Sequence, residues 1–120
     1  MKLEVGMYCY NKTNRKLGIG KIIDFQRNNN VNIRYKNDIE LVSIGNVIAS
    51  FNIIDILEVG DILVDDTNRK LEILLIDNEL MVRNTGLIYD NNYYLPIKSI
   101  AIKSVITHEQ MEQMAYKVGE

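Results

Sequence analysis

Arginine grips phosphate through a planar fork of donors, and tyrosine offers a flat face on which a nucleobase stacks. This sequence groups both residue types. A tetrapeptide, Thr-Asn-Arg-Lys, occurs twice and sets Arg15-Lys16 and Arg69-Lys70 at equivalent corners. Arg34 and Arg83 fall on comparable apolar-polar stretches, and Tyr89, Asn92, Tyr93 and Tyr94 surround a single turn. His108 stands at the start of a helical stretch. Arg34, Arg83, Tyr89, Asn92, Tyr93, Tyr94 and His108 therefore form the candidate ligand-binding set. Each has a plainer reading. Thr-Asn-Arg-Lys is also good turn chemistry, and tyrosines beside a hairpin also cover a core.

Catalytic chemistry finds little support. His108 is the one histidine, and a general base needs an orienting partner and a nucleophile to serve. Cys9 is the one cysteine, reads as a small apolar strand residue, and excludes an internal disulfide. Asp65-Asp66 lacks the spacing of a calcium loop, and Gly18-Ile19-Gly20 is too short for a phosphate fingerprint and opens no helix. No catalytic residue, metal or cofactor is implied.

The elements that must position these residues come from a duplication. Residues 3–24 and 57–78 align without a gap at an offset of 54, with 11 identities in 22 positions. Leu41, Ile48 and Ser50 recur at the same offset as Leu95, Ile102 and Ser104, so the repeat covers both halves. Each copy opens with Val-Gly and an apolar run, Met7–Tyr10 or Ile62–Val64. A polar turn follows, Lys12–Arg15 or Asp66–Arg69, and then a return strand, Leu17–Phe25 or Leu71–Ile76. Gly18 and Gly20 mark a bend in the first return strand. Val31 to Lys36 alternates, with Val31, Ile33 and Tyr35 on the apolar face, and Leu80–Arg83 is its counterpart. Apolar segments Ile39–Ser50 and Tyr93–Ser104 close the copies, Pro96 placing its strand at an edge. Asn52–Leu57 reads as a helical turn or linker. Thr107 and Gln110 form a capping box, with Ile106 and Met111 spaced as its staple, for a helix running toward Val118.

The expected fold is mainly β: two SH3-like antiparallel units of about 54 residues, or one merged β-sandwich, with a short C-terminal helix. The expected boundaries are 1–54, 55–106 and 107–120, the helix packing on the second repeat. Eighteen isoleucines and fourteen asparagines against one proline fit AT-rich coding rather than disorder. No apolar run approaches the roughly 20 residues that span a bilayer, and the N-terminus lacks the apolar stretch of a signal peptide. Net charge is −2, yet residues 1–50 carry eight basic and four acidic side chains, and residues 51–120 carry six and twelve. That asymmetry favours head-to-tail association, or an anionic ligand on the first half, while the net charge of −2 opposes general nucleic-acid binding.

Four segments occur in order: Glu4-Val5-Gly6-Met7-Tyr8, Gly18-Ile19-Gly20-Lys21-Ile22, Ala49 to Asp55 running on through Glu58-Val59-Gly60-Asp61, and Ser104 to Gln110. In these the chain resembles a group of small phage and prophage proteins of Clostridium-like Firmicutes. The resemblance implies a protein of the bacterial host cytoplasm that counters host defence. In particular it suggests the Thoeris anti-defence type, whose members form oligomers and sequester cyclic ADP-ribose-like signals or cyclic oligonucleotides. It transfers no site residue. The functional expectation is a non-enzymatic, homo-oligomeric binding protein that sequesters a small nucleotide-derived ligand. The alternative is an inhibitor or adaptor that binds a host defence protein, such as a CRISPR nuclease, or a transcription or replication factor.

Overall fold

The protein is described from a computed structural model, over residues 2–84 and 94–114. The chain divides into two compact units, Met1–Ile56 and Leu57–Glu120. The first holds β1 (Tyr8–Asn11), β2 (Gly20–Gln26), β3 (Asn30–Arg34), β4 (Ile39–Ser43) and β5 (Val47–Ser50). The second holds β6 (Ile62–Asp65), β7 (Lys70–Ile76), β8 (Glu79–Asn84), β9 (Leu95–Pro96), β10 (Ile102–Ile106) and the helix α1 (His108–Met114). Each unit forms one five-stranded antiparallel sheet, so the fold is mainly β, as the alternation and turn residues indicate. The orders are β4-β3-β2-β1-β5 and β9-β8-β7-β6-β10, which are the same topology. Every strand pairing among the described residues lies within one unit. A 3-10 turn precedes the last strand in both units, Ile44–Asn46 and Ile97–Ser99. A further one, Ile53–Ile56, ends the first. No helix among the described residues is long and apolar enough to cross a membrane.

The repeated Val-Gly has a backbone cause. Gly6 and Gly60 adopt φ of +93° and +95°, which an L side chain resists. Each then donates its N–H to the return strand, Gly6 to the Ile22 carbonyl at 2.8 Å and Gly60 to the Ile73 carbonyl at 3.0 Å. The same bonds correct the gapless alignment. Ile22 and Ile73 are equivalents at an offset of 51, because the first copy inserts a 3-10 turn, Arg15–Leu17, between its first two strands. The first copy also carries a β-bulge between Ile22 and Asp24 and a longer loop before β3. The second copy turns from β7 to β8 on Asp77-Asn78 alone, both at positive φ, as a two-residue hairpin requires. Gly18, at φ +88°, turns the chain out of the 3-10 turn ahead of β2, and the irregularity within β2 lies at the bulge.

Alternation decides burial. In the first unit Met7, Cys9, Ile22, Val31, Ile33 and Val42 form the core with Tyr35 and Val47. In the second, Leu63, Leu71, Ile73, Val82 and Ile97 are buried. Each such aliphatic side chain contributes about 1.5–3 kcal/mol by leaving water. Pro96 sits on the edge strand β9, as its missing N–H demands.

Gly20 lies where the end of β3 leaves no room for a side chain on β2. A Cβ there would stand 2.6 Å from the Arg34 carbonyl oxygen and 2.7 Å from Ile33 Cγ2. Gly20→Ala is expected to cost about 1–3 kcal/mol through overpacking. Gly45→Ala, with nothing within 4 Å of its new methyl, is expected to leave stability within about 0.5 kcal/mol. Urea unfolding of the two variants checks the contrast.

Candidate functional site

The repeated Thr-Asn-Arg-Lys is a turn device before it is anything else. Asn11 and Asp65 are equivalents, and each accepts the N–H and hydroxyl of the threonine two residues on. Asp65 also accepts the Arg69 N–H at 2.8 Å, and its second oxygen accepts Arg69 Nε at 2.7 Å. Removal from water opposes ionisation of Asp65, but the bonds from Arg69 and Thr67 outweigh it and hold the carboxyl down at about 2. In the first unit Arg15 is only 7% exposed and lies over the Tyr10 ring at 4.5 Å. Arg15 is thus packed away from solvent, while Arg69, its side chain 48% exposed, is tied to Asp65 through Nε.

His108 begins α1 with its side chain 55% exposed. Its Nε2 lies 2.9 Å from the Glu112 carboxylate, and a Cβ on Gly60 would stand 3.2 Å from its Nδ1. The fully buried Asp61 accepts the His108 N–H at 2.9 Å and the Glu58 N–H at 2.9 Å. Asp61 thereby ties α1 to the start of the second unit. Thr107 and Gln110 close the capping box, at 2.9 Å and 3.1 Å. Cys9 has no exposed surface, and burial pushes its thiol up to about 12, which removes it as a nucleophile at neutral pH. Burial, and then the 2.9 Å hydrogen bond to Glu40, raise the Tyr35 phenol above its ordinary value.

Arg34 and Arg83 do coincide. Arg34 sits directly opposite Lys21 across β2 and β3, and Arg83 sits directly opposite Glu72 across β7 and β8. Lys21 and Glu72 are equivalents at the offset of 51 set by the Ile22 and Ile73 bonds. In the second unit Arg83 Nη2 meets Glu72 Oε1 at 2.6 Å. In the first unit two cations face each other, which an antiparallel ladder disfavours. Neither Lys21 nor Arg34 has an acidic partner among the described residues. Lys21 Nζ rests 4.8 Å above the Tyr8 ring, and Tyr8 is the cross-strand neighbour of Lys21 on β1. Ile39 lies opposite Arg34 on β4. One face of the first unit thus reads Tyr8, Lys21, Arg34, Ile39 across four adjacent strands. Arg34, Tyr35, Lys36, Asn37, Asp38 and Ile39 line an open groove of about 410 Å³ beside it.

Of the other candidates, half-buried Tyr94 immediately precedes β9, whose register with β8 runs back toward Arg83. Tyr89, Asn92 and Tyr93 lie outside the described residues. Sequence reasoning missed Tyr8 and Lys21. Their signal is the cross-strand partner of Arg34, which the gapless offset concealed by aligning Lys21 with Leu75. No protein-family model matches the chain, and neither does any curated protein or solved structure.

The depressed Asp65 carboxyl makes a pH prediction. Its ordinary value is 3.8 and its folded value about 2, so its contribution to stability is complete above about pH 4 and is lost as pH falls toward 2. Asp65→Asn keeps an oxygen for Thr67, as Asn11 does for Thr13, and loses the charge on Arg69. The variant is expected to melt below the wild type at pH 6, with the gap closing between pH 4 and pH 2. Melting curves that stay parallel across that range would contradict the assignment.

Proposed function

We propose that this protein is a non-enzymatic binder of a small nucleotide-derived anion, held on the first unit by Lys21 and Arg34 beside Tyr8. The observation that carries the reading is the uncompensated cation pair, at the position where the sister unit places an acid. A fold that keeps two like charges directly opposed accepts a small loss of stability there, and a bound phosphate reverses that loss. Tyr8 gives an aromatic face within reach of the same anion, which suits a base or sugar attached to it. Each unit is proposed to be an SH3-like module, a scaffold that positions binding groups on its strands. Sequestration of a host signalling nucleotide in a bacterial cytoplasm, as the phage-type resemblance suggests, is the role this site would serve. Self-association would add a second copy's surface to the open groove.

A second reading rests on a different feature. The edge strand β4 exposes Ile39 and Leu41 at 56% and 57%, and an unpaired edge with apolar side chains suits strand addition by a partner protein. This is the inhibitor or adaptor alternative, directed at a host defence protein.

The first reading is tested by calorimetric titration with ADP as probe at low salt. Lys21→Ala and Arg34→Ala are each expected to weaken binding by about tenfold or more, the loss of one charge-assisted contact. Lys21→Glu is expected to abolish binding while raising the melting temperature, since it recreates the pair of the second unit. ADP released by heat-denaturing the complex is expected intact. Unchanged affinity in all three variants would remove the site, and a cleaved nucleotide would remove the non-enzymatic reading.

A further inference from the structure

We infer that the second unit carries the same anion site in a closed form, with the Glu72 carboxylate occupying the place of the ligand, so that one chain takes one anion despite its duplicated fold. The inference rests on the reading of Lys21 and Arg34 given above. Arg34 and Arg83 hold equivalent positions in the same topology, Arg34 ending β3 and Arg83 one residue before the end of β8, and they face Lys21 and Glu72, which the glycine-initiated bonds make equivalent on β2 and β7. The side chain of Arg83 is 45% exposed, and its Nη2 meets an oxygen of Glu72 at 2.6 Å, the contact that a phosphate oxygen makes with arginine. A carboxylate supplied by the chain itself competes with any ligand at far higher effective concentration than a solute reaches. The difference between an open and a closed unit is therefore the residue opposite the arginine: lysine in one copy, glutamate in the other.

The neighbouring charges agree with this division. Lys21 stands opposite Arg34, and Lys36 and Asp38 line the groove beside it. On β7, Lys70 lies two residues from Glu72, on the same face by alternation, and is already engaged in an interaction of its own. Removing Glu72 thus exposes one arginine, and replacing it with lysine rebuilds the cation pair of the first unit.

Calorimetric titration with inorganic pyrophosphate at low salt separates the possibilities by stoichiometry. The wild type is expected to bind one anion per chain and Glu72→Lys two. Lys21→Glu is expected to bind none, and the double variant Lys21→Glu with Glu72→Lys one again. Glu72→Gln, which keeps the side-chain shape, is expected to add a weaker second site and serves if the lysine variant does not fold. A wild type that binds once, together with Glu72→Lys and Glu72→Gln variants that also bind only once, overturns this inference and leaves the first-unit site standing. A wild type that binds no pyrophosphate overturns both.

Discussion

The register between the second and third strands of each unit decides which charges meet, and the remaining architecture serves to hold that register. In an antiparallel ladder, directly opposed side chains share a face at about 4.5–5.5 Å between Cβ atoms, so a one-residue slip would move Lys21 away from Arg34 and turn it to the core. The slip is prevented from both sides. The buried face of β2 and β3 presents Ile22, Val31 and Ile33, which cannot be exchanged for their polar neighbours without loss of the core. The glycine-initiated bonds then fix β2 against the segment before β1, Gly6 to Ile22 and Ile22 to Met7. The second unit repeats both devices through Gly60, Ile73 and Asp61.

Duplication followed by divergence gives each copy its own use of equivalent positions. Met7, an apolar core residue, has as its counterpart Asp61, fully buried yet satisfied by the N–H groups of Glu58 and His108. A buried carboxylate is costly unless hydrogen-bonded, and here those bonds attach the helix that only the second copy possesses. Asn11 and Asp65 show the same economy. The neutral amide suffices to close the first turn and reaches Glu40 at 3.4 Å, while the charged version also clamps Arg69. Lys21 and Glu72 complete the pattern at the surface. The second copy closes its ion pairs internally, and the first leaves positive charge facing outward.

Much of this was legible in the residues. The alternation of Val31, Ile33 and Tyr35, the edge position of Pro96, the capping box of Thr107 and Gln110, and the repeat itself each follow from local rules with a single answer. What the repeat concealed was its own slippage. Identity in Thr-Asn-Arg-Lys-Leu pins the alignment at an offset of 54, but Leu17 ends a 3-10 turn and Leu71 lies in β7. Strand equivalence is set by hydrogen bonds rather than by letter identity, so the alignment paired Lys21 with Leu75 and kept Glu72 out of view. The arginines of the repeat suggest chemistry, yet the burial of Arg15 over Tyr10 depends on tertiary placement, and Arg69, though exposed, is engaged by Asp65 within its own turn. Arg34 and Arg83 were found, but their opposite partners were needed to tell one from the other.

The central claim is that an anion is held by the first unit, at the cross-strand pair of Lys21 and Arg34, and not by the second. Amide and side-chain chemical-shift mapping of the ¹⁵N-labelled protein during titration with ADP tests it most directly. The account predicts saturable shifts at Tyr8, Lys21, Arg34 and the Lys36–Ile39 hairpin, with Glu72 and Arg83 unmoved. Shifts centred on Glu72 and Arg83, or none at Lys21 and Arg34 at saturating nucleotide, would contradict it.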